Sequence, residues 1–267
     1  WELKGIYPNI FRNKKYGSQA KDLFKDAEIM LKTLINENVL SLKGLSRIFK
    51  AYSENEDILL IDDKGIELEK FSFLRQQVDK KAKDSNYYCL SDFVSSKKSD
   101  NDILGSFVVS AGNEVDDYAM EYEKKGDDYT SIIIKAIGDR LAEACAEYLH
   151  REIRIENGDS EEFNLKSLIK EDYNGIRPAH GYPSIPDHSE KAKIWDLLEV
   201  EKNIDVSLTE NFALNPASSI CGLYFFNPQS RYFNLGKISN AQFELYAAKK
   251  GYNIDRMRSL LQNNLID

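Results

Sequence analysis

The sequence is poor in cysteine. It has only three among 267 residues, Cys89, Cys145 and Cys221, which stand far apart and form no Cys-x-x-Cys pair. An odd number of widely spaced cysteines fits neither a disulfide framework nor a thiolate metal site, and none of the three histidines has a cysteine pair nearby. We therefore expect reduced, mostly buried thiols and no structural metal.

Long apolar runs and targeting signals are also missing. No stretch approaches the 18 apolar residues of a membrane-spanning helix, and the N-terminus has no charged start followed by an apolar segment and a small-residue cleavage site. The net charge of -8 disfavours broad binding to nucleic acid or to an anionic membrane surface. These features predict a cytoplasmic protein with no nucleic-acid or membrane partner.

Several motifs of common enzyme classes do not occur. The sequence has no GxGxxG or GxxxxGK[ST] phosphate loop, no GxSxG nucleophile motif and no HExxH zinc motif. A conventional methyltransferase is disfavoured because no glycine-rich loop follows an early strand. The chemistry that remains open is ligand binding.

The periodicity of apolar residues predicts helices and strands mixed along the chain. The predicted helices are 19–36, 128–153, 191–198, 241–250 and 254–263; the predicted strands are 58–61, 66–71, 87–90, 103–111, 220–226 and 232–235, with the first two and the last two forming hairpins. Because this order lacks regular βαβ alternation, it predicts an α+β fold with a largely antiparallel sheet. No linker rich in Pro, Ser or Gly divides the chain, so we expect a single domain over 1–267. The start at Trp1 leads us to expect a fragment of a longer multidomain chain.

The longest predicted helix carries one apolar stripe and one acidic face. The stripe consists of Ile134, Ile137, Leu141, Cys145, Tyr148 and Leu149. Asp139, Glu143 and Glu147 follow one another at intervals of four and are predicted to lie on the opposite, solvated face.

A loop rich in glycine and proline follows this helix and offers a binding group. Arg177 stands before Pro178 and near Gly181, where a rigid loop would fix its guanidinium for bidentate capture of a carboxylate. The pair Tyr232-Phe233 offers aromatic surface. On these residues alone, a surface arginine and ordinary strand aromatics remain open alternatives.

Three blocks, taken together with their order and separation, resemble one known family. The first block is 127–129 leading into Asp-Arg-Leu-Ala-Glu-Ala-Cys-Ala-Glu-Tyr-Leu-His at 139–150. The second block is Gly-Ile-Arg-Pro-Ala-His-Gly-Tyr-Pro at 175–183. The third block consists of Leu-Thr-Glu at 208–210, Asn-Pro-Ala-Ser at 215–218, and Tyr-Phe at both 224–225 and 232–233. The chain thereby resembles the C-terminal activation domain of cobalamin-dependent methionine synthase, essentially from end to end.

The resemblance implies a C-shaped α+β domain whose twisted antiparallel sheet and loops bind S-adenosylmethionine. The parent enzyme moves a methyl group from 5-methyltetrahydrofolate to homocysteine through cobalamin held by a neighbouring domain. The activation domain supports reductive remethylation of oxidised cobalamin, with flavodoxin or an equivalent reductase as electron donor. This chain lacks the DxHxxG pattern by which related enzymes hold cobalamin. It is therefore not expected to bind the corrinoid, or to be catalytic, alone.

The resemblance also implies a set of binding residues. Asp92 would meet the ammonium group of the ligand and Arg177 its carboxylate, while Glu143 would contribute from the long helix. The other residues implied to line the site are Ala179, Tyr182, Tyr232 and Phe233. No catalytic residue and no metal ligand is implied.

The chain departs from the family pattern at His180, at Phe233 and in the segment 155–164, which lacks a usual Trp-Gly-Tyr stretch. A free-standing S-adenosylmethionine-binding accessory or sensor protein, without methyl transfer, remains the alternative. A reading frame that continues upstream with DxHxxG would favour the synthase, and a nearby start codon would favour the accessory protein.

Overall fold

The computed structural model describes residues 3–77, 86–158 and 164–266. Within these ranges the helices are α1 (Gly17–Asn36), α2 (Asn113–Lys124), α3 (Asp128–Glu156), α4 (Leu165–Lys170), α5 (Lys191–Leu198), α6 (Val200–Ile204), α7 (Asn240–Lys250) and α8 (Ile254–Leu261). The strands are β1 (Lys43–Glu54), β2 (Asp57–Ile61), β3 (Glu67–Ser72), β4 (Ile103–Ser110), β5 (Ser207–Leu208), β6 (Leu214–Asn215) and β7 (Ser219–Phe225). Part of the segment 155–164, where the sequence departs from the family pattern, lies outside the described residues.

Five strands form one antiparallel sheet in the order β3-β2-β1-β4-β7. The predicted first hairpin is confirmed as β2 and β3. Its turn is held by Asp62, whose Oδ1 accepts from the backbone N–H groups of Lys64 at 2.9 Å and Ile66 at 2.8 Å. Helices flank this sheet, so the predicted α+β class with an antiparallel sheet is confirmed.

The two faces of the sheet bury different clusters. On one face, β-strand residues such as Leu104, Val108 and Phe225 pack with Ile194 and Trp195 of α5. On the other face, α3 covers a second cluster, whose buried members are Phe107, Val109, Ala146, Ile153 and Tyr224. Burial on both faces explains why β4 is buried over most of its length and lacks a polar alternation.

Helix α3 confirms the predicted helix and most of its apolar stripe, since Ile134 is buried and Ile137, Cys145 and Leu149 pack against buried clusters. Tyr148 is exposed, and the predicted stripe did not include the buried small residues Gly138, Ala142 and Ala146 beside it. Small side chains at these positions let the helix approach the sheet closely. Of the acidic residues predicted to be solvated, Asp139 is exposed, as predicted, whereas Glu143 and Glu147 are half-buried.

Residues 87–90 do not form the predicted strand. The chain there is irregular and enters a short 3-10 turn over Leu90–Phe93, whose N-terminal amide, Cys89 N–H, donates to the Asp92 carboxylate at 2.9 Å. Cys89 and Leu90 are fully buried, so the apolar run reflects burial without sheet pairing. The sequence analysis also missed β1 and α2.

The predicted second hairpin is wrong in its second half. β7 is a strand, but residues 232–235 do not pair with it. The backbone of Ile176 exchanges hydrogen bonds with Phe225 at 3.0 and 2.9 Å, and Leu223 N–H donates to the Pro178 carbonyl at 3.1 Å. The glycine- and proline-rich segment 176–179 therefore occupies the edge of β7 where the hairpin partner was expected.

The remaining sequence expectations concern cysteines and membrane spans. All three thiols are free; Cys89 and Cys221 are buried and Cys145 is half-buried, as predicted. In the described ranges, no helix is both long and apolar enough to cross a membrane.

Candidate functional site

A cavity of about 510 Å³ lies where α3, the edge of β7 and two loops meet. Its volume is in the range of small-molecule binding sites. Six of the seven sequence-predicted binding residues line it, namely Glu143, Arg177, Ala179, Tyr182, Tyr232 and Phe233. The other lining residues are Phe107, Ala146, Glu171, Pro178, Pro183, Ser184, Ile220 and Asn234.

The pairing of segment 176–179 with β7 fixes the position of Arg177. Isolated bridges join Ile176 to Phe225 and Ala179 to Gly222, one on each side of Arg177 along the segment. Gly222 is required for this approach, since a Cβ there would lie 2.5 Å from the Pro178 carbonyl oxygen. Arg177 thus sits on backbone that the sheet holds in place.

The guanidinium of Arg177 is largely buried and is surrounded by acceptors. One terminal nitrogen lies 2.7 Å from Glu147 Oε2 and 3.2 Å from Glu171 Oε1, and the other donates to the Tyr173 hydroxyl. Burial disfavours the charged form, but Tyr173 and Glu147 outweigh it and raise the pKa of Arg177. The group therefore stays cationic beside the cavity.

A tight turn over 179–185 presents Tyr182 to the cavity. Gly181 N–H donates to the Ile185 carbonyl at 2.7 Å, and Ile185 N–H donates to the Tyr182 carbonyl at 2.9 Å. Gly181 has a φ of 94° and packs against the His188 ring, which leaves no room for a Cβ. The Tyr182 side chain consequently remains exposed at the cavity.

His180, one of the departures from the family pattern, points away from the ligand space. It is buried and does not line the cavity. Burial, aided by the nearby Lys191 cation, lowers the pKa of His180 to about 3, so its ring is neutral at physiological pH. It therefore contributes to the packing of the loop.

Aromatic side chains form much of the cavity wall. The Tyr232 hydroxyl accepts from the Arg177 backbone N–H at 3.1 Å, which ties the 232–235 segment to the arginine. Phe233 packs against Tyr88 with ring centroids 6.0 Å apart. Phe107 stacks on Tyr224 at 4.5 Å. These rings offer flat apolar surface of the kind that binds a purine or a cationic sulfur.

Glu143 reaches the cavity from α3. It is half-buried and follows the close-packed Ala142 directly, so its side chain emerges at the margin of the sheet contact. Its carboxylate and that of Glu171 are the two acidic groups that line the cavity. The structure places Glu143 at the cavity and half-buried, where periodicity predicted a solvated face, and its role toward a ligand stays a prediction.

Asp92 lies apart from these residues and does not line the cavity. Its two carboxylate oxygens accept from the Arg75 guanidinium at 2.8 and 2.9 Å. Phe93, the next residue, stacks on Tyr88 at 6.3 Å, and Tyr88 in turn contacts Phe233. A role for Asp92 toward a ligand ammonium stays a prediction, and such a ligand would compete with Arg75.

Three groups that hold Arg177 were not predicted from the sequence as site residues. Glu171 and Tyr173 precede the arginine by six and four residues in the same segment, and Glu147 lies one helical turn after Glu143. The spacing of four between the two glutamates places both on one helix face. That spacing could have indicated Glu147, had the buried face of α3 been assigned correctly.

The arrangement suits a ligand that joins an amino acid to an aromatic base. A cationic arginine offers charge-assisted hydrogen bonds to a carboxylate, Glu143 and Glu171 offer acceptors for ammonium or hydroxyl groups, and the rings offer stacking surface. These groups are those of a binding site.

Comparisons with known proteins agree with this description. The model of the family described as "Vitamin B12 dependent methionine synthase, activation domain" matches residues 1–251. A solved structure described as "Crystal Structure of the MetH Reactivation Domain bound to AdoHcy" is 41% identical, with a TM-score of 0.92 over 100% of this chain and 84% of that chain. The chain belongs to the family of activation domains of vitamin B12-dependent methionine synthase.

Proposed function

We propose that this chain binds S-adenosylmethionine in the cavity beside Arg177 and supports the reductive remethylation of cobalamin. The observation that carries the proposal is the convergence of six predicted binding residues on one cavity whose arginine is buried and cationic. The 41% identity to a domain whose structure contains AdoHcy, the demethylated form of S-adenosylmethionine, supports the choice of ligand.

In this proposal the amino-acid end of the ligand faces Arg177. The guanidinium binds the carboxylate, and this bond replaces or shares the 3.2 Å contact with Glu171, whose side chain is the more exposed of the two paired glutamates. Glu143 accepts from an ammonium or ribose hydroxyl group. The rings of Tyr182, Tyr232 and Phe233 cover the remainder.

The chain's own contribution is orientation. S-adenosylmethionine, when bound, supplies an electrophilic methyl group on a sulfonium, so the transfer needs no general base from this chain. The residues of the cavity hold that methyl group in one direction, and proximity to a nucleophile held elsewhere provides the rate. This explains how a family of activation domains functions with a site built only for binding.

The proposed partners follow from the family. The cobalamin-binding domain is expected in the same polypeptide, which places this domain in an enzyme that transfers methyl from 5-methyltetrahydrofolate to homocysteine. Flavodoxin or an equivalent reductase would supply the electron. Asp92 is proposed to meet the ligand ammonium after release from Arg75.

The direct test of this function is a reactivation assay. Joined to a cobalamin-binding domain and given reduced flavodoxin, the chain is expected to return oxidised cobalamin to its methylated state only when S-adenosylmethionine is present. The change in visible absorbance of the corrinoid measures the reaction. Reactivation that proceeds equally without S-adenosylmethionine would contradict the proposal, and binding without any reactivation would favour the accessory or sensor protein.

A further inference from the structure

Two of the groups that hold the Arg177 guanidinium, Glu147 and Tyr173, are themselves not placed to touch a ligand in the cavity. Its side chain is 13% exposed, and its shortest ionic contact, 2.7 Å, is to Glu147 Oε2. Glu147 and Tyr173 are not among the residues that line the cavity, whereas Arg177 is. The arginine therefore has one side toward the cavity and one toward this pair.

Glu147 is unusual as a buried acid. Its side chain is 19% exposed, and burial raises the pKa of its carboxyl although the Arg177 charge opposes this. Oε2 accepts from Arg177 and, at 3.2 Å, from the Tyr173 hydroxyl, while Oε1 has no hydrogen-bond partner among the described residues. The contacts that offset the cost of burying this carboxylate thus centre on Arg177 and Tyr173.

The ring of Tyr173 packs against side chains of α3. The guanidinium carbon of Arg154 lies 3.6 Å from the centre of its ring, and the His150 ring meets it edge-on at 5.3 Å. Arg154, His150 and Glu147 all belong to α3. One helix therefore fixes both acceptors that orient the arginine.

We propose that Glu147, with Tyr173, is a positioning residue that aims the Arg177 guanidinium at the carboxylate of the bound ligand. The inference rests on the proposed function. It identifies Glu147 as a group that affects ligand affinity without touching the ligand. Because Glu147 acts only through Arg177, its replacement should weaken the binding only of ligands that carry the carboxylate.

The test compares two ligands by calorimetry on the full chain. S-adenosylmethionine carries the carboxylate and decarboxylated S-adenosylmethionine lacks only that group. Glu147→Ala is expected to weaken binding of the first about tenfold, the size of one charge-assisted hydrogen bond, and to leave the second unchanged. Glu147→Gln, which keeps an acceptor oxygen at the same place, is expected to recover most of the lost affinity.

The matched control is Glu152→Ala on the same helix, since Glu152 pairs with Arg151 at 2.7 Å and does not line the cavity. It should bind both ligands as the unmodified chain does. If Glu147→Ala does not fold, Tyr173→Phe removes only the hydroxyl that accepts from Arg177 and should give a smaller loss with the same ligand selectivity.

The outcomes separate the two proposals. Unchanged affinity in Glu147→Ala, an equal loss for both ligands, or a Gln variant no better than Ala would each overturn the positioning role while the proposed function stands. Failure of the unmodified chain to bind S-adenosylmethionine would overturn the proposed function, and this inference with it.

Discussion

At the scale of single residues, the proposed site centres on one buried cation, Arg177, which a ligand carboxylate reaches by replacing or sharing its contact with Glu171. Arg177 keeps its charge because Tyr173 and Glu147 compensate for burial. An arginine in this state binds a carboxylate with two parallel hydrogen bonds, in a surrounding that screens them less than water does. Most of the affinity for an amino-acid end should therefore come from this one side chain.

We expect Arg177→Ala to weaken S-adenosylmethionine binding by about 1.5–3 kcal/mol, the usual loss when a hydrogen bond to a charged group is removed. Isothermal titration calorimetry of the purified chain measures it. Arg256→Ala is the control, because Arg256 bonds Asn211 at 2.9 Å and the Glu210 carbonyl at 2.6 Å, away from the cavity. An Arg177→Ala chain that binds as tightly as the control would remove the arginine from the site.

At the scale of elements, the segment 176–188 combines sheet pairing with a tight turn and buries a histidine that cannot easily be charged. The pKa of His180 is lowered to about 3, with burial the largest cause and the Lys191 cation next. In an unfolded chain the same ring titrates near pH 6.5. His180 therefore contributes stability that is present above about pH 6.5 and is lost as the pH falls toward about 3.

We expect the free energy of unfolding to fall between about pH 6 and about pH 5, and His180→Gln to reduce that slope by about 1 kcal/mol per pH unit. His150, whose pKa is lowered to about 2 mainly by burial, and His188, whose pKa is also lowered mainly by burial, remain in the variant, so the difference between the two proteins reports on His180. Urea unfolding at the two pH values measures it. Equal slopes in the two proteins would show that His180 takes up its proton in the folded chain.

The helices and strands also show which features of the fold a sequence pattern can predict. The β2–β3 hairpin and the span of α3 were predictable because the turn at Asp62 and the cap at Asp127, which accepts from Thr130 N–H at 3.0 Å, are local signals. The pairing of Ile176 with β7 was not, because it joins segments far apart in sequence. Part of the buried face of α3 was missed, because small residues such as Ala142 and Ala146 give a weak apolar signal.

The candidate site likewise contains residues that local sequence blocks predict and residues that only the tertiary structure brings together. The loop rich in glycine and proline indicated Arg177, the resemblance of the block 175–183 indicated both Arg177 and Tyr182, and the structure places both at the cavity. Glu147 was assigned to a solvated face, because the periodicity of one helix does not reveal which loop covers it. Asp92 came from the same resemblance, but its contact with Arg75 depends on a tertiary approach that no local pattern encodes.

At the scale of the whole molecule, the site is built to hold one reactant. The described lining includes the carboxylates of Glu143 and Glu171 and the hydroxyls of Tyr182 and Tyr232, which in the proposed function bind and orient the ligand. The net charge of -8 also makes broad binding to another acidic polymer unfavourable. In the proposed function this chain orients a methyl donor, and another domain holds the acceptor.

We expect the isolated chain, given S-adenosylmethionine with labelled methyl and a small thiol acceptor, to transfer methyl no faster than the reaction in buffer. Proximity catalysis requires both reactants in one assembly, and only one is held here. Counting label in the extracted acceptor measures the rate. Efficient methylation of the thiol would favour a conventional methyltransferase over an activation domain.

The central claim is that the amino-acid end of the ligand lies against Arg177, and a crystal structure of this chain with AdoHcy tests it most directly. We expect the ligand carboxylate to lie within hydrogen-bond distance of the Arg177 guanidinium, with the contact between Arg177 and Glu147 intact. We also expect an aromatic face of Tyr232 or Phe233 to lie against the ligand, and Asp92 to leave Arg75 for the ligand ammonium. AdoHcy bound elsewhere, or in this cavity with its carboxylate away from Arg177, would contradict the account.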